Sequence, residues 1–296
     1  MTSRRSWVDF VGPVLGVAAM AMVAFSLVYL LGIRPFYRGA SYRAVPGAVS
    51  AAGWVREEAS RRFDGPFERL EIKNVSGPVR IEGWSESSIE VSYVKEARSA
   101  QALEEFEIRM QPQGTTLAVQ PIYGRLSGTQ FGPVAFEIRV PPSVREIKAG
   151  SVSGHIVVEN LPADVDQELE SVSGRIETGR TRGLKARSVS GPVRFTSTGG
   201  TIEVNTTSGR VSGRILSLER GDSVEVGSIS GTVELEAFAG LDAAVTLQSV
   251  SGSIACDFPL QLTEQRRNRL EGVIGGGSVP LTVKTVSGRI RLERAD

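Results

Sequence analysis

The sequence predicts an all-β fold, a β-solenoid (β-helix) of about eight coils that is preceded by one N-terminal transmembrane helix. Three observations predict it: a Ser-Gly motif that occurs eight times, a β-branched residue two positions after each motif glycine, and an uncharged apolar run near the N-terminus. A repeat this short cannot bury its own apolar face, so neighbouring copies must stack on one another.

Each copy of the motif reads polar, apolar, Ser, Gly, and we expect its glycine to form a corner between two strands. Glycine adopts backbone angles with φ > 0 without a Cβ clash, and the serine hydroxyl can bond local backbone groups. A second Ser-Gly pair ends at Gly209, and the four residues that follow it predict a bulged corner. The predicted corner glycines are Gly77, Gly154, Gly174, Gly191, Gly213, Gly231, Gly252 and Gly288.

Alternating apolar and polar residues on both sides of the corner indicate strands. From Gly154 to Gly252 the motif glycines lie 17 to 22 residues apart, which is too short for a helical crossover. Coils should therefore stack about 4.8 Å apart and form a rod on the order of 40 Å long. The residues two positions after the glycines, which we expect in the core, are Val79, Ile156, Ile176, Val193, Ile215, Val233, Ile254 and Ile290.

The N-terminal region predicts a short tail at 1–9, a transmembrane helix at 10–33 and a juxtamembrane linker at 34–63. Residues 10–33 carry no charge, and about 20 apolar residues suffice to cross a bilayer. A cleavable signal peptide is the alternative, although the run is long for one and no Ala-x-Ala-like site follows. Flanking arginines slightly favour a cytoplasmic C-terminus. A Ser/Thr/Gly-rich rod nevertheless suits the envelope, so we expect a single-pass membrane protein with an extracytoplasmic solenoid.

Two parts of the solenoid are predicted to differ. Residues 64–148 should hold irregular strands and one short helix, because the period changes between 93 and 111, and this part could cap the rod. Residues 149–296 should form the regular Ser-Gly coils. The polar residues at 289–294 suggest a capped final coil and a monomeric rod. Cys256, the only cysteine, falls on an inward position and is expected to be a buried thiol.

Catalytic chemistry is scarce in this sequence, so we expect a protein that is not an enzyme and needs no cofactor or metal. The only histidine, His155, has no second ligand with which to form a zinc set, and the repeated serines lack a base. A net charge of +1 implies no bulk attraction to nucleic acid. A polysaccharide-acting β-helix enzyme remains a distant alternative.

One outward pattern could bind a ligand. Several arginines occupy the first or third position after a corner, where stacking could align them into a basic stripe for an anionic envelope polymer or lipid. Glutamates share these positions, so solvated cross-strand ion pairs are the structural alternative. The arginines of the predicted stripe are Arg80, Arg175, Arg194, Arg214, Arg289 and Arg291.

The segment FEIRVPPSV at 136–144, the repeated Ser-Gly corners and the closing GVIGGGSVPLTVKTVSGRIRL at 272–292 together resemble the bacterial putative-adhesin family of domains of unknown function. The resemblance covers roughly 70–294. It implies a β-solenoid attached to the bacterial envelope with no established catalytic activity, and some relatives look associated with envelope-stress responses. The family has no agreed functional residues.

These observations predict a non-enzymatic, membrane-anchored β-solenoid that displays a rigid surface for binding or adhesion in the bacterial cell envelope. The alternative is a regulatory or scaffolding protein of an envelope-stress assembly, acting through contacts with a membrane protein partner. The oligomeric state stays open.

Overall fold

The computed structural model describes residues 45–49, 53–124 and 130–295. Within these residues the chain forms 22 strands and one short helix, which confirms the all-β class. The predicted tail at 1–9 and transmembrane helix at 10–33 lie outside the described residues. Across the described part, no helix has the length and apolar character needed to cross a bilayer.

The helix α1 (Ala100–Glu105) lies within the segment where the sequence period changes, and it begins at Ser99, whose hydroxyl accepts the Ala102 N–H. In chain order the strands are β1 (Val45–Val49), β2 (Val55–Asp64), β3 (Arg69–Asn74), β4 (Val79–Gly83), β5 (Ser88–Ala97), β6 (Glu107–Gln113), β7 (Thr116–Ile122), β8 (Phe131–Val140), β9 (Glu146–Ser151), β10 (Ile156–Glu159), β11 (Asp166–Ser171), β12 (Ile176–Ser188), β13 (Val193–Thr206), β14 (Val211–Ile215), β15 (Ser223–Ser228), β16 (Val233–Ala237), β17 (Ala243–Ser249), β18 (Ile254–Cys256), β19 (Gln261–Arg266), β20 (Arg269–Ile274), β21 (Val279–Thr285) and β22 (Ile290–Arg294).

Strands that lead into the corners form one ladder, which we call ladder A. Its central strands are parallel, and an antiparallel pair lies at each end. The spatial order is β6, β7, β3, β9, β11, the second half of β12, the second half of β13, β15, β21, β17, β20 and β19.

Strands that leave the corners form ladder B, which is parallel from β8 to β18. Three antiparallel strands cover its first end. The spatial order is β1, β2, β5, β8, β4, β10, the first half of β12, the first half of β13, β14, β16, β22 and β18. One ladder A strand, its corner and the following ladder B strand make one unit of the stack.

The corner glycines touch one another along the stack. A Cβ on Gly154 would overlap the carbonyl oxygen of Gly77, and each later corner meets its neighbour in the same way. Only Gly77 has a positive φ, of 98°, so close backbone approach explains the other glycines better than the left-handed angles that we expected. The column runs Gly77, Gly154, Gly174, Gly191, Gly209, Gly231, Gly288 and Gly252.

Gly213 is not a corner, which corrects both the predicted corner set and the predicted bulge. Gly209 takes the corner, Val211 occupies the inward position two residues later, and Gly213 pairs with Phe195 on one side and Leu235 on the other. A Cβ at Gly213 would collide with the Phe195 ring. The glycine therefore makes room in the core for a phenylalanine of the neighbouring unit.

The last unit in the sequence is not the last in the stack. β21 lies between β15 and β17, and β22 lies between β16 and β18. The polar residues at 289–294 therefore do not cap the rod, contrary to the sequence-based expectation. The stack ends at β18 in ladder B and at the hairpin of β19 and β20 in ladder A.

Residues 34–63 were predicted as a linker, but strands occupy much of this range. β2 pairs antiparallel with β5 over ten residues, and Ala59 of β2 is buried. Charged residues surround Ala59 in the sequence, so the apolar pattern does not reveal a strand here. Farther along, Phe106 is fully buried, stacks on Tyr123 at a centroid distance of 4.7 Å and packs edge-to-face against Phe131 at 5.3 Å. These aromatic rings fill the core beneath the irregular first end.

Candidate functional site

The outer face of ladder B carries the predicted arginine stripe. Side chains at the first, third and fifth positions after a corner glycine point outward, and parallel register aligns them in columns. Arginines do not follow one another in the third-position column, so a continuous basic stripe does not form. In stack order that column holds Arg80, Val157, Glu177, Arg194, Ser212, Glu234, Arg291 and Ala255.

Three arginines of the predicted stripe have a close carboxylate of their own. The distances are 2.7 Å from Arg80 to Glu159, 2.9 Å from Arg214 to Glu236 and 3.0 Å from Arg291 to Glu293. Exposed pairs of this kind contribute little to stability, about 0–1 kcal/mol, but they neutralise the charge of the arginine. Cross-strand ion pairing therefore accounts for Arg80 and Arg214, and Arg291 pairs with a glutamate of its own strand.

Two further arginines share one carboxylate at longer range. Arg175 and Arg194 lie 3.7 and 3.5 Å from different oxygens of Glu177. Arg289 is exposed and forms no ion pair within the described residues. Positive charge thus remains on the face only where the pairing is loose or missing.

Because the corner is Gly209 and not Gly213, Arg214 lies in a different column from the one predicted, and Arg210 joins the outer face. Counted from Gly209, Arg214 takes the fifth position, beside Thr196 and Glu236, and Arg210 takes the first. Sequence reasoning missed Arg210 because it counted from Gly213. The signal that could have found it is Thr206, a hydroxyl residue three positions before Gly209, because Arg210 holds the same position before Gly213.

Arg175, Arg194 and Arg210, which we call the arginine cluster, surround a shallow depression of about 310 Å³. Pro192, Val193 and Ser212 also line it. The first-position column runs from Arg175 across Pro192 to Arg210, and the short proline ring leaves open space between the two long side chains. This depression is the strongest candidate for a ligand site on the described surface.

The histidine and the motif serines serve the backbone. His155 Nδ1 accepts the Arg175 N–H at 3.1 Å. The first serine of a motif is buried and in most copies accepts the corner N–H, as Ser151 does from Gly154 at 2.8 Å, whereas Ser188 donates to the Gly191 carbonyl at 2.7 Å. The second serine donates to a carbonyl of the adjacent unit, as Ser173 does to Val152 at 3.2 Å. The hydroxyls therefore hold the corners and join the units.

A second depression lies at the first end of the stack, between β2, β5 and β6. The buried Lys95 amino group lies 3.2 Å from Glu57 and donates hydrogen bonds to the carbonyls of Leu103 and Phe106 at the end of α1. These bonds fasten α1 to the sheet. In the described part of the chain, no cluster of three or more His, Cys, Asp or Glu could hold a metal ion.

The outer face of ladder A carries many ion pairs. Lys148 lies 3.1 Å from Glu168 and 3.3 Å from Glu146. The hydrogen bond to Glu168 raises the pKa of Lys148 despite the opposing effect of burial. Burial acts to raise the pKa of Glu168, but Lys148, Lys185 and Arg187 together outweigh it, and the net shift is downward. This face offers alternating, mutually neutralised charge.

The sequence matches one family model over most of its length. The model of the Toastrack DUF4097 family matches residues 67–293. This chain belongs to the Toastrack DUF4097 family. The resemblance to a putative-adhesin family that the sequence indicated is confirmed. No curated protein matches the chain.

Several solved structures are similar to this Toastrack chain. A putative cell adhesion protein from Clostridium sporogenes is 11% identical over 81% of this chain and 100% of that chain, with a TM-score of 0.37. A putative adhesin from Bacteroides fragilis is 15% identical over 79% of this chain and 96% of that one, with a TM-score of 0.41. A putative lipid binding protein from Parabacteroides distasonis is 9% identical over 81% and 97%, with a TM-score of 0.37.

The second end of the Toastrack stack is open in ladder B. β18 pairs with β22 on one side, and no described strand pairs with its other edge. Cys256 and Ile254 are therefore half-buried, whereas the sequence predicted both in the core. Burial raises the pKa of the Cys256 thiol, partly offset by the Phe258 N–H. The nearby Leu262 is 49% exposed.

The glycine-rich turn of this Toastrack chain, at 275–277, lies against Asp242. The Asp242 carboxylate accepts the Ser278 N–H at 3.3 Å. Hydrogen bonds from the Ser278 backbone, the Ser278 side chain and the turn backbone lower the pKa of Asp242. The turn leads from β20 into β21 and so fixes the hairpin that covers the end of ladder A.

Proposed function

We propose that this protein is a non-enzymatic, membrane-anchored β-solenoid that presents a rigid outer face for binding or adhesion in the bacterial cell envelope. Residues 10–33 would cross the membrane once, and the strand stack would stand on the extracytoplasmic side. Membership of the Toastrack family is compatible with this proposal. The observation that carries it is the outer face of ladder B, where partly unpaired arginines are held in fixed columns.

Rigidity supports a binding role. Backbone contact along the corner column fixes neighbouring units, and hydroxyls such as Ser173 add a bond between units at each corner. A surface whose side chains are already positioned loses little conformational entropy when it binds a partner. Such a face suits an extended ligand that contacts several units at once.

The non-enzymatic part of the proposal has its own support. His155 accepts a backbone N–H, and most of the described motif hydroxyls, such as those of Ser151 and Ser173, form corner or interunit bonds. Nucleophilic catalysis requires a hydroxyl within reach of a base. No described serine of the motif has that arrangement.

Cosedimentation of the full chain, purified in nonionic detergent, with washed envelope fragments would test the binding role. We expect the chain to sediment with fragments and not with control agarose beads. Gly174→Val, which would place a Cβ against the Gly154 carbonyl, should abolish this retention by deforming the stack. No retention of the native chain on any envelope fraction would contradict the proposed function.

The side of the membrane can be tested separately. Glu234→Cys in a Cys256→Ser background places a thiol on the outer face of ladder B. We expect a membrane-impermeant maleimide to label this thiol in intact cells or in cells with a permeabilised outer membrane. Labelling only after lysis of the inner membrane would contradict the extracytoplasmic placement.

A second candidate is a regulatory or scaffolding role in an envelope-stress assembly, and the open end favours it. A strand with an unpaired edge can accept a strand of another protein. At this end of the stack Ile254 of β18 is half-buried, and Leu262 of the β19–β20 hairpin is exposed. A photo-crosslinking residue in place of Leu262 should then capture a membrane protein in living cells. The same residue in place of Glu234 is the matched control, and equal capture at both positions would count against this candidate.

A further inference from the structure

We propose that the arginine cluster binds a phosphate monoester group. The proposal deepens the binding function above and rests on it, because it identifies the group by which a partner would be held. The cluster takes one arginine from each of three consecutive units and differs from the predicted stripe: Arg210 is new, and Arg80, Arg214, Arg289 and Arg291 are not part of it.

The spacing of the cluster suits one small anion. Arg175 and Arg210 occupy the same column two strands apart, which corresponds to roughly 9.6 Å between their Cα atoms. Arg194 lies two residues along the strand from Pro192, between them. Three long side chains can therefore converge above Pro192, where the depression of about 310 Å³ lies.

The ion-pair distances show which charges are available. Arg80 and Arg214 hold their own carboxylates at 2.7 and 2.9 Å. In the cluster, Glu177 is the shared counter-ion at 3.5 and 3.7 Å. Arg210 forms no ion pair within the described residues, and the Ser212 hydroxyl next to it donates no hydrogen bond there. Three guanidinium groups thus share one loosely held carboxylate.

The chemistry of the ligand follows from this charge and geometry. A phosphate monoester carries about −1.5 to −2 charge at neutral pH and three strong acceptor oxygens, which matches three cations beside one anion. Arginine forms paired N–H bonds to phosphate oxygens in a fixed geometry. A carboxylate has only two oxygens, so it would pair well with one guanidinium group and leave the other two without an acceptor.

Isothermal titration calorimetry on the full chain in nonionic detergent at low ionic strength tests the proposal. The probes are glucose 6-phosphate and dihexanoyl phosphatidic acid, two monoesters that represent a soluble sugar phosphate and a lipid headgroup. Acetate is the control anion. We expect both or one of the monoesters to bind at one site, and binding of acetate to be at least about tenfold weaker.

Variants locate the binding. Arg194→Gln with Arg210→Gln should weaken monoester binding by about tenfold or more, because two of the three charged donors are lost. Arg80→Gln with Arg214→Gln is the matched control: it removes the same charge from equally exposed positions of the same face. Its affinity should stay within about twofold of the native chain, since those arginines are already paired. Unchanged thermal unfolding would verify that each variant is folded.

Glu177→Gln separates binding from a structural role. Removing the competing carboxylate should strengthen monoester binding by about threefold or more, whereas a merely structural Glu177 would leave it unchanged or weaken it. Preference for the sugar phosphate would identify a soluble ligand, and preference for phosphatidic acid a lipid headgroup. Equal losses in the two double variants, or no monoester binding at all, would overturn the proposal.

The outcome is distinguishable from failure of the proposed function. If the native chain sediments with envelope fragments and the Arg194→Gln, Arg210→Gln variant sediments equally well, the adhesive role stands and the phosphate site is wrong. If the native chain binds the monoester but no envelope fragment, the site stands and the adhesive role fails.

Discussion

The two ends of the stack are closed in different ways. At the first end, β5 and β2 extend ladder B with antiparallel strands, and the side chains of Ile89 and Val91 are completely buried. At the second end, the hairpin of β19 and β20 covers ladder A alone, and β18 leaves Ile254 half-buried. A residue at an inward-facing position of a strand is therefore not buried by that position alone. A further unit or a cap must also lie on it.

Substitutions at the corner glycines should give the largest difference in stability between the middle of the stack and its second end. A Cβ at Gly191 would overlap the Gly174 carbonyl, and one at Gly252 would overlap the Gly288 carbonyl. We expect Gly191→Val to lower the free energy of unfolding by more than about 4 kcal/mol, because units lie on both sides of it. Gly252→Val should cost only about 1–2 kcal/mol, because the short β18 can detach. Urea denaturation measures both, and equal losses would contradict the difference between the ends.

Truncations in the two caps give the next largest contrast. Phe106→Ala empties the fully buried aromatic cluster of the first end and should cost about 3–5 kcal/mol. Leu262→Ala at the second end removes a side chain that is 49% exposed and should change stability by no more than about 0.5 kcal/mol. Thermal unfolding of the two variants checks this prediction. A larger loss at Leu262 would mean that the second end is covered.

The reactivity of thiols compares the two ends with smaller changes to the core than the truncations make. Burial raises the pKa of Cys256, and only the thiolate is alkylated. Iodoacetamide should therefore modify folded Cys256 more slowly at neutral pH than it modifies the thiol in the unfolded chain, and faster as the pH rises. Mass spectrometry measures the rate.

The matched control for this reaction is Val91→Cys in a Cys256→Ser background, since Val91 is fully buried under the first cap. Its thiol should be protected until the protein unfolds. Similar modification rates for the two thiols in the folded protein would contradict a closed first end.

The smallest expected effect concerns the turn beside Asp242. Because hydrogen bonds from Ser278 and the turn lower the pKa of Asp242 in the folded protein, its contribution to stability is present above its unfolded pKa and is lost as the pH falls toward the folded pKa. Asp242→Asn should therefore lower Tm slightly at neutral pH and reduce the fall in Tm between about pH 5 and about pH 3. An unchanged pH profile would show that the turn does not depend on this carboxylate.

The alternation in the sequence predicted which side of a strand faces the core, yet it could not select the correct corner. Gly209 and Gly213 are four residues apart, an even number, so either choice leaves Val211 and Ile215 inward. The pairing of Gly213 with Phe195 and the contact of Gly209 with Gly191 decide between them. The arginine positions depended on that choice, which is why Arg210 was missed and Arg214 was assigned to the wrong column.

The order of the stack was also beyond the reach of the sequence. Every unit offers the same parallel register, so nothing in the pattern near Gly288 requires it to lie between Gly231 and Gly252. Ion pairing posed a similar difficulty, because Glu159 and Glu236 neutralise Arg80 and Arg214 from other strands. The fold class, most corners and the inward-facing positions follow local rules of sequence. The order of the units in the stack and the charge left unpaired on the outer face arise from contacts between distant residues.

The placement of β21 and β22 has a consequence for synthesis on the ribosome. Residues 243–256 are translated before residues 279–294, but they stack on the outer side of them. The growing chain must therefore either hold the earlier segment apart or dock it provisionally on β15 and β16 and later release it. A chain that stopped before residue 279 would not simply be a shorter rod. It would lack an internal layer, and β17 would be without its parallel partner β21. The second half of the stack is therefore complete only after residues 279–294 have been synthesised.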